Sequence, residues 1–97
     1  MKKAYWVGVV NVKNKNEYTK YTDIAGPALL AAGANILSRG GRIKNLEGKK
    51  VDRVVVIEFP SMSQAEKFYK SDEYKKGLKY ININVADRYL NIAEGVD

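Results

Sequence analysis

Among side chains that do chemistry, this chain keeps a restricted set. It has seven tyrosines, 17 lysines and arginines and 11 aspartates and glutamates, with no histidine and no cysteine. The missing cysteine removes thiolate nucleophiles, disulfides and zinc–thiolate sites, and the missing histidine removes the imidazole base and the commonest metal and haem ligand. Catalysis is left to carboxylates, tyrosines, serines, lysines and arginines. Glu58 is the most informative charge, because it closes the apolar run Val54-Val55-Val56-Ile57, where a carboxylate needs a partner or a proton. A turn centred between Gly48 and Lys49 places Arg39 opposite Glu58, or one position away if Gly40-Gly41 forms a bulge. Two readings follow. The pair lines a pocket, with Glu58 as a proton acceptor of raised pKa or Arg39 as an anchor for a ligand carboxylate; or it is a cross-strand ion pair that fixes register and dimer packing.

The tyrosines form a second constellation. Tyr18 and Tyr21 on a first helix, and Tyr69 and Tyr74 around a second, are placed to present hydroxyls to a cavity between helices and sheet, as hydrogen-bond donors or general acids. The same spacing suits core packing with the hydroxyl at the rim. Trp6 and Asn11 are an odd number of residues apart and so lie on opposite faces of one strand, which makes Trp6 a core or dimer-interface residue. Ser61 reads as a helix cap and not a nucleophile, since no histidine activates it and no Gly-x-Ser-x-Gly elbow surrounds it.

The elements that must position these residues are legible from pattern. Residues 4–12, rich in β-branched and aromatic side chains, read as a strand. Asn14 with Glu17 three positions on has the form of a capping box, and Tyr18, Tyr21, Ala25, Ala28, Leu29 and Ala32 share the buried face of the helix it starts. Gly26-Pro27 predicts a kink or break within that helix, and Gly33 closes it. Residues 35–39 read as a strand that continues through Arg42 to Leu46 after a Gly40-Gly41 bulge; residues 47–50 supply the turn and Val51 to Phe59 the next strand. Ser61 with Gln64 caps a second helix carrying Ala65, Phe68 and Tyr69, and Ser71-Asp72-Glu73 restarts a helical turn with Tyr74, Leu78 and Ile81. Residues 85–93 alternate Arg88, Leu90 and Ile92 against Asp87, Tyr89 and Asn91, as an edge strand does.

The resulting order, strand, helix, strand, strand, helix, strand, is the ferredoxin-like split βαβ arrangement, α+β in class, within one domain spanning 1–97. Two helices cover one face of a four-stranded sheet, yet the first and third strands are apolar on both faces. A second copy is the economical cover, so a homodimer with facing sheets is expected. The formal charge of +6 invites a nucleic-acid reading, but the basic pairs Lys2-Lys3, Lys49-Lys50 and Lys75-Lys76 are short and separated, so no nucleic-acid partner is expected. No run approaches the ~20 apolar residues of a membrane span, and Ala4 to Val10 lacks a signal cleavage site, which gives a cytoplasmic protein with no membrane partner.

Leu37-Ser38-Arg39-Gly40-Gly41, Leu46-Glu47-Gly48, Arg53, Ile57-Glu58-Phe59-Pro60-Ser61, Phe68-Tyr69-Lys70-Ser71 and Glu73-Tyr74, in that order, resemble the small bacterial proteins of the domain of unknown function 1330 family, within the dimeric α/β barrel superfamily. The resemblance covers nearly the whole chain and implies a ferredoxin-like protomer and a face-to-face dimer. Superfamily relatives include cofactor-independent monooxygenases, lactone isomerases and haem enzymes; histidine or cysteine ligation of haem is excluded here by composition. The expected activity is a cofactorless acid/base or isomerisation reaction on a small organic molecule, with Glu58, Tyr21 and Tyr69 catalytic and Arg39, Arg53, Tyr18 and Tyr74 binding the ligand, and no metal or cofactor. The competing reading is a noncatalytic small-ligand-binding or stress-associated dimer.

Overall fold

The β-branched and aromatic N-terminal run forms β1, Ala4–Val12, with the bounds its composition predicts. It occupies a central place in a four-stranded antiparallel sheet together with β2 (Asn35–Arg39), β3 (Arg53–Phe59) and β4 (Ala86–Glu94), ordered β2-β3-β1-β4. The computed structural model describes residues 2–96; Met1 and Asp97, the ends of the expected 1–97 domain, lie outside the described residues. Three helices complete the chain: α1 (Lys15–Ala31), α2 (Met62–Tyr69) and α3 (Asp72–Leu78). The second helical stretch is divided at Lys70-Ser71, where Ser71 starts α3 by accepting a hydrogen bond from the Tyr74 N–H. Asn14 and Ser61 cap α1 and α2 in the same way, through the N–H groups of Glu17 and Gln64.

Alternation divides the sheet into two faces. Ala4, Trp6, Gly8 and Val10 of β1 are buried, and their cross-strand partners Phe59, Ile57, Val55 and Arg53 share that side, beneath the helices. Trp6 is fully buried there, with Phe59, Phe68 and Tyr74 at ring separations of 5.3, 5.5 and 5.1 Å and its indole N–H donated to the Ala65 carbonyl. It is therefore a core residue. The opposite face carries Tyr5, Val7, Val9, Val54, Val56 and Glu58, and among the described residues no helix covers it.

Three expectations are corrected. The break expected at Gly26-Pro27 does not occur: helix α1 runs continuously through Pro27, whose missing amide would have bonded the carbonyl of exposed Asp23. Residues 40–52 form a loop and not a continued hairpin; Gly40, at φ +67°, turns the chain out of the sheet, so the paired glycines end β2 instead of kinking it. The irregularity in pairing lies earlier, between Ile36 and Ser38, and β3 starts at Arg53. Register moves accordingly: Glu58 faces Asn35, and Arg39 faces Val55.

Candidate functional site

Strand β1 sets the geometry of a cleft under α1. Its Val10 pairs with Arg53 on one side and Arg88 on the other, so two arginines rise from the same row of the sheet toward the helices. One row along, Gly8 pairs with Val55 and Leu90. Gly8 has no side chain to fill the space above it, and an added Cβ would come within 3.2 Å of Leu90 Cδ1. The roof is α1, whose Tyr18 and Tyr21, one turn apart, point down at the arginines. The Arg53 guanidinium lies 5.5 Å from the Tyr18 ring centre and that of Arg88 4.9 Å from the Tyr21 ring centre. Each stack is worth about 0.5–2 kcal/mol, depending on how dry it is.

Behind the roof, Tyr74 of α3 is wholly buried, with its hydroxyl 2.9 Å from that of Tyr21 and accepting a 2.9 Å hydrogen bond from Arg88 Nη2. Burial, reinforced by the neighbouring Tyr74 oxygen, pushes the Tyr21 pKa far above its ordinary 10.0, so its phenol is neutral at physiological pH. Burial likewise raises Tyr18, against the opposing pull of Arg53 and Arg88. For Arg88 burial works against the charge, but the oxygens of Tyr21 and Tyr74 outweigh it and its pKa is raised. Arg39 completes the cleft from β2. Its guanidinium reaches α1 at Gly26, where Nη1 would lie 3.1 Å from a Cβ.

The cleft encloses about 50 Å³ between apolar walls that include Val55, Ile57, Leu90, Ala25 and Leu29. That is room for a few waters or one small polar group of a ligand. Its polar atoms are almost all donors. Arg53 Nε and Arg88 Nη1 are buried without a hydrogen-bond partner among the described residues. The ion pairs among those residues are Lys3–Glu58, Lys13–Asp87 and Lys20–Glu17, none of which involves Arg39, Arg53 or Arg88.

Five of the expected site residues are thus brought together: Arg39, Arg53, Tyr18 and Tyr21 line the cleft, and Tyr74 supports it. Two are not. Tyr69 is part-exposed and packs its ring 5.9 Å from Trp6 and 5.4 Å from Tyr74, away from the cleft. Glu58 lies on the uncovered face of the sheet, with the cleft on the other, and the expected Arg39–Glu58 pair does not form. Its carboxylate accepts a 3.0 Å hydrogen bond from Asn35 and sits 3.4 Å from Lys3 Nζ. The Asn35 bond, with a further contribution from Lys3, holds its pKa below the ordinary value, where a raised one was expected. Arg88 joins the cleft although it was not among the expected site residues. Its signal was present in β4, an arginine in the inward-facing set with Leu90 and Ile92.

Solved structures share this architecture. A protein of unknown function from Rhodopseudomonas palustris superposes with a TM-score of 0.78 at 17% identity, covering 99% of this chain and 84% of that one. A dimeric protein of unknown function with a ferredoxin-like fold from Bacteroides fragilis gives a TM-score of 0.62 at 11% identity, with 96% of each chain covered. A dimeric ferredoxin-like protein of unknown function from Thermobifida fusca gives 0.57 at 12% identity, covering 94% of this chain and 89% of that one. No curated protein matches the sequence. At these identities the likeness establishes the ferredoxin-like fold, and the sequence itself supplies the rest: residues 3–96 match the model of the domain of unknown function 1330, and the chain belongs to that family.

Proposed function

We propose that the protein binds a small organic anion in the cleft between α1 and the sheet, its acidic group held by Arg53 and Arg88 beneath Tyr18 and Tyr21. The observation that carries this reading is the pair of buried, unpartnered donors, Arg53 Nε and Arg88 Nη1, on guanidiniums with no counter-ion among the described residues. A buried guanidinium N–H without an acceptor is costly, whereas one that receives a carboxylate forms a short, charge-assisted bond. Tyr21 adds a neutral donor. Its hydroxyl shares one hydrogen bond with that of Tyr74, in which either oxygen can donate, and when Tyr74 is the donor the Tyr21 proton is free for the ligand.

Binding is favoured over acid/base turnover because the expected base, Glu58, is on the wrong face and held as a carboxylate, while Tyr21 is held protonated. If the protein turns over its ligand, the chemistry belongs to Tyr21 as donor to a developing oxyanion, with Tyr74 positioning its hydroxyl. One domain over 1–97, with sheet and helices sharing a core, forms each protomer of a homodimer built through the uncovered sheet face. Support for the dimer comes from the valines on that face and from the dimeric descriptions of two structural neighbours. The experiment is a thermal-shift titration with small carboxylates at low salt. The native protein gains stability with rising carboxylate and Arg88→Met gains none, each measured against its own ligand-free melting temperature. Equal stabilisation of both proteins would sink the reading.

A further inference from the structure

Building on the anion-binding reading, we propose that the ligand is a short dianion, two acidic groups joined by a spacer of a few carbons, one group inside on Arg53 and Arg88 and the other at the mouth on Arg39. Charge gives the first argument. Three guanidiniums line the cleft and no carboxylate does, so a monoanion leaves two of them uncompensated. Asp23 and Asp52 border the outer grooves, but neither is within ion-pair distance of these arginines.

Size gives the second. The inner cavity of about 50 Å³ suits one acidic group, and the groove of about 440 Å³ beside it, which shares Gly26, Arg39 and Arg53 with it and runs along Pro27 and Leu30, has room for the remainder of the ligand. Register gives the third. Arg53 and Arg88 belong to the Val10 row, and Arg39, opposite Val55, to the Gly8 row, two residues or roughly 7 Å further along the strands. The Gly8 row itself, with Val55 and Leu90 on either side of Gly8, is an apolar floor suited to methylene groups. Gly26 completes the arrangement, because the missing Cβ lets the guanidinium of exposed Arg39 lie against α1 at the mouth.

The test is calorimetric titration at low ionic strength with succinate, glutarate and adipate, each against its monomethyl ester, on the native protein and on Arg39→Met, Arg53→Met and Arg88→Met variants whose folding is confirmed by circular dichroism. The best diacid is expected to bind at least about tenfold more tightly than its monoester, the effect of one further charge-assisted contact. Arg39→Met brings the pair to parity with little change for the monoester, whereas Arg53→Met or Arg88→Met weakens both. Parity of every pair on the native protein, or a preference that survives Arg39→Met, overturns the dianion while leaving the anion site standing. No saturation by any of the six compounds overturns the site itself.

Discussion

Tyr21 and Glu58 respond to pH in opposite directions. The folded-state pKa of Tyr21 is raised above its ordinary 10.0, so its contribution to stability is full below pH 10 and is lost as pH rises further, because the unfolded chain ionises first. Glu58 has a folded-state pKa lowered from 4.5; its contribution is full above that value and is lost as pH falls through the lowered one. Alkaline and acid melts should separate the two, with Tyr21→Phe flattening the loss above pH 10 and Glu58→Gln the loss below about 4.5. Ligand affinity behaves differently. No histidine, cysteine or carboxylate lines the cleft, so binding of a fully ionised carboxylate should stay flat from about pH 6 to 9; a titratable step within that range, seen by calorimetry, would point to a group outside the cleft. At this scale the arginines and tyrosines were legible as chemistry, while the role of Glu58 was not. Its face follows from alternation, but its partner depends on a register that the sequence leaves open.

Among the elements, those with local signals were the ones that reading by pattern recovered. Asn14, Ser61 and Ser71 announce their helices because each side chain accepts from an amide three residues on, a contact that needs no distant partner. Ser61→Ala should cost about 1 kcal/mol in denaturant melts and leave ligand affinity unchanged, since Ser61 serves α2 and stands outside the cleft; lost binding would argue for a direct role of its hydroxyl. The β2–β3 connection resisted prediction for the opposite reason. Glycines permit a bulge, a turn or a strand end equally, and the left-handed backbone at Gly40 together with the Arg53 guanidinium packed against it made the choice. The Arg39–Glu58 pairing, inferred from a tight turn, could not survive a loop spanning 40–52.

For the whole molecule, the uncovered sheet face is the feature that length alone foreshadowed. Val7 is 39% exposed at the centre of β1 and Tyr89 71% exposed on neighbouring β4, a placement that a second sheet would bury. Sedimentation of the native protein should show a dimer, and Val7→Lys should shift it to monomer, since two unpaired ammonium groups would face each other across a dry interface. A native monomer at micromolar concentration would contradict the face-to-face arrangement. Apart from the three arginines of the cleft, the basic residues are dispersed, with Arg42, Lys44, Lys49 and Lys50 in the loop after β2, Lys15, Lys20, Lys67, Lys75 and Lys76 on the helices, and Lys2, Lys3, Lys13, Lys70 and Lys79 between elements.

The pairing of Val10 with both Arg53 and Arg88 also bears on how the protein folds. These three residues come from the beginning, middle and end of the chain, and they meet only when β1 has acquired both of its neighbours. Neither half of the molecule contains the site, so a partly folded chain has nothing with which to hold an anion. A ligand should therefore leave the refolding rate almost untouched and slow unfolding instead, acting as a lock fitted after assembly and not as a template for it.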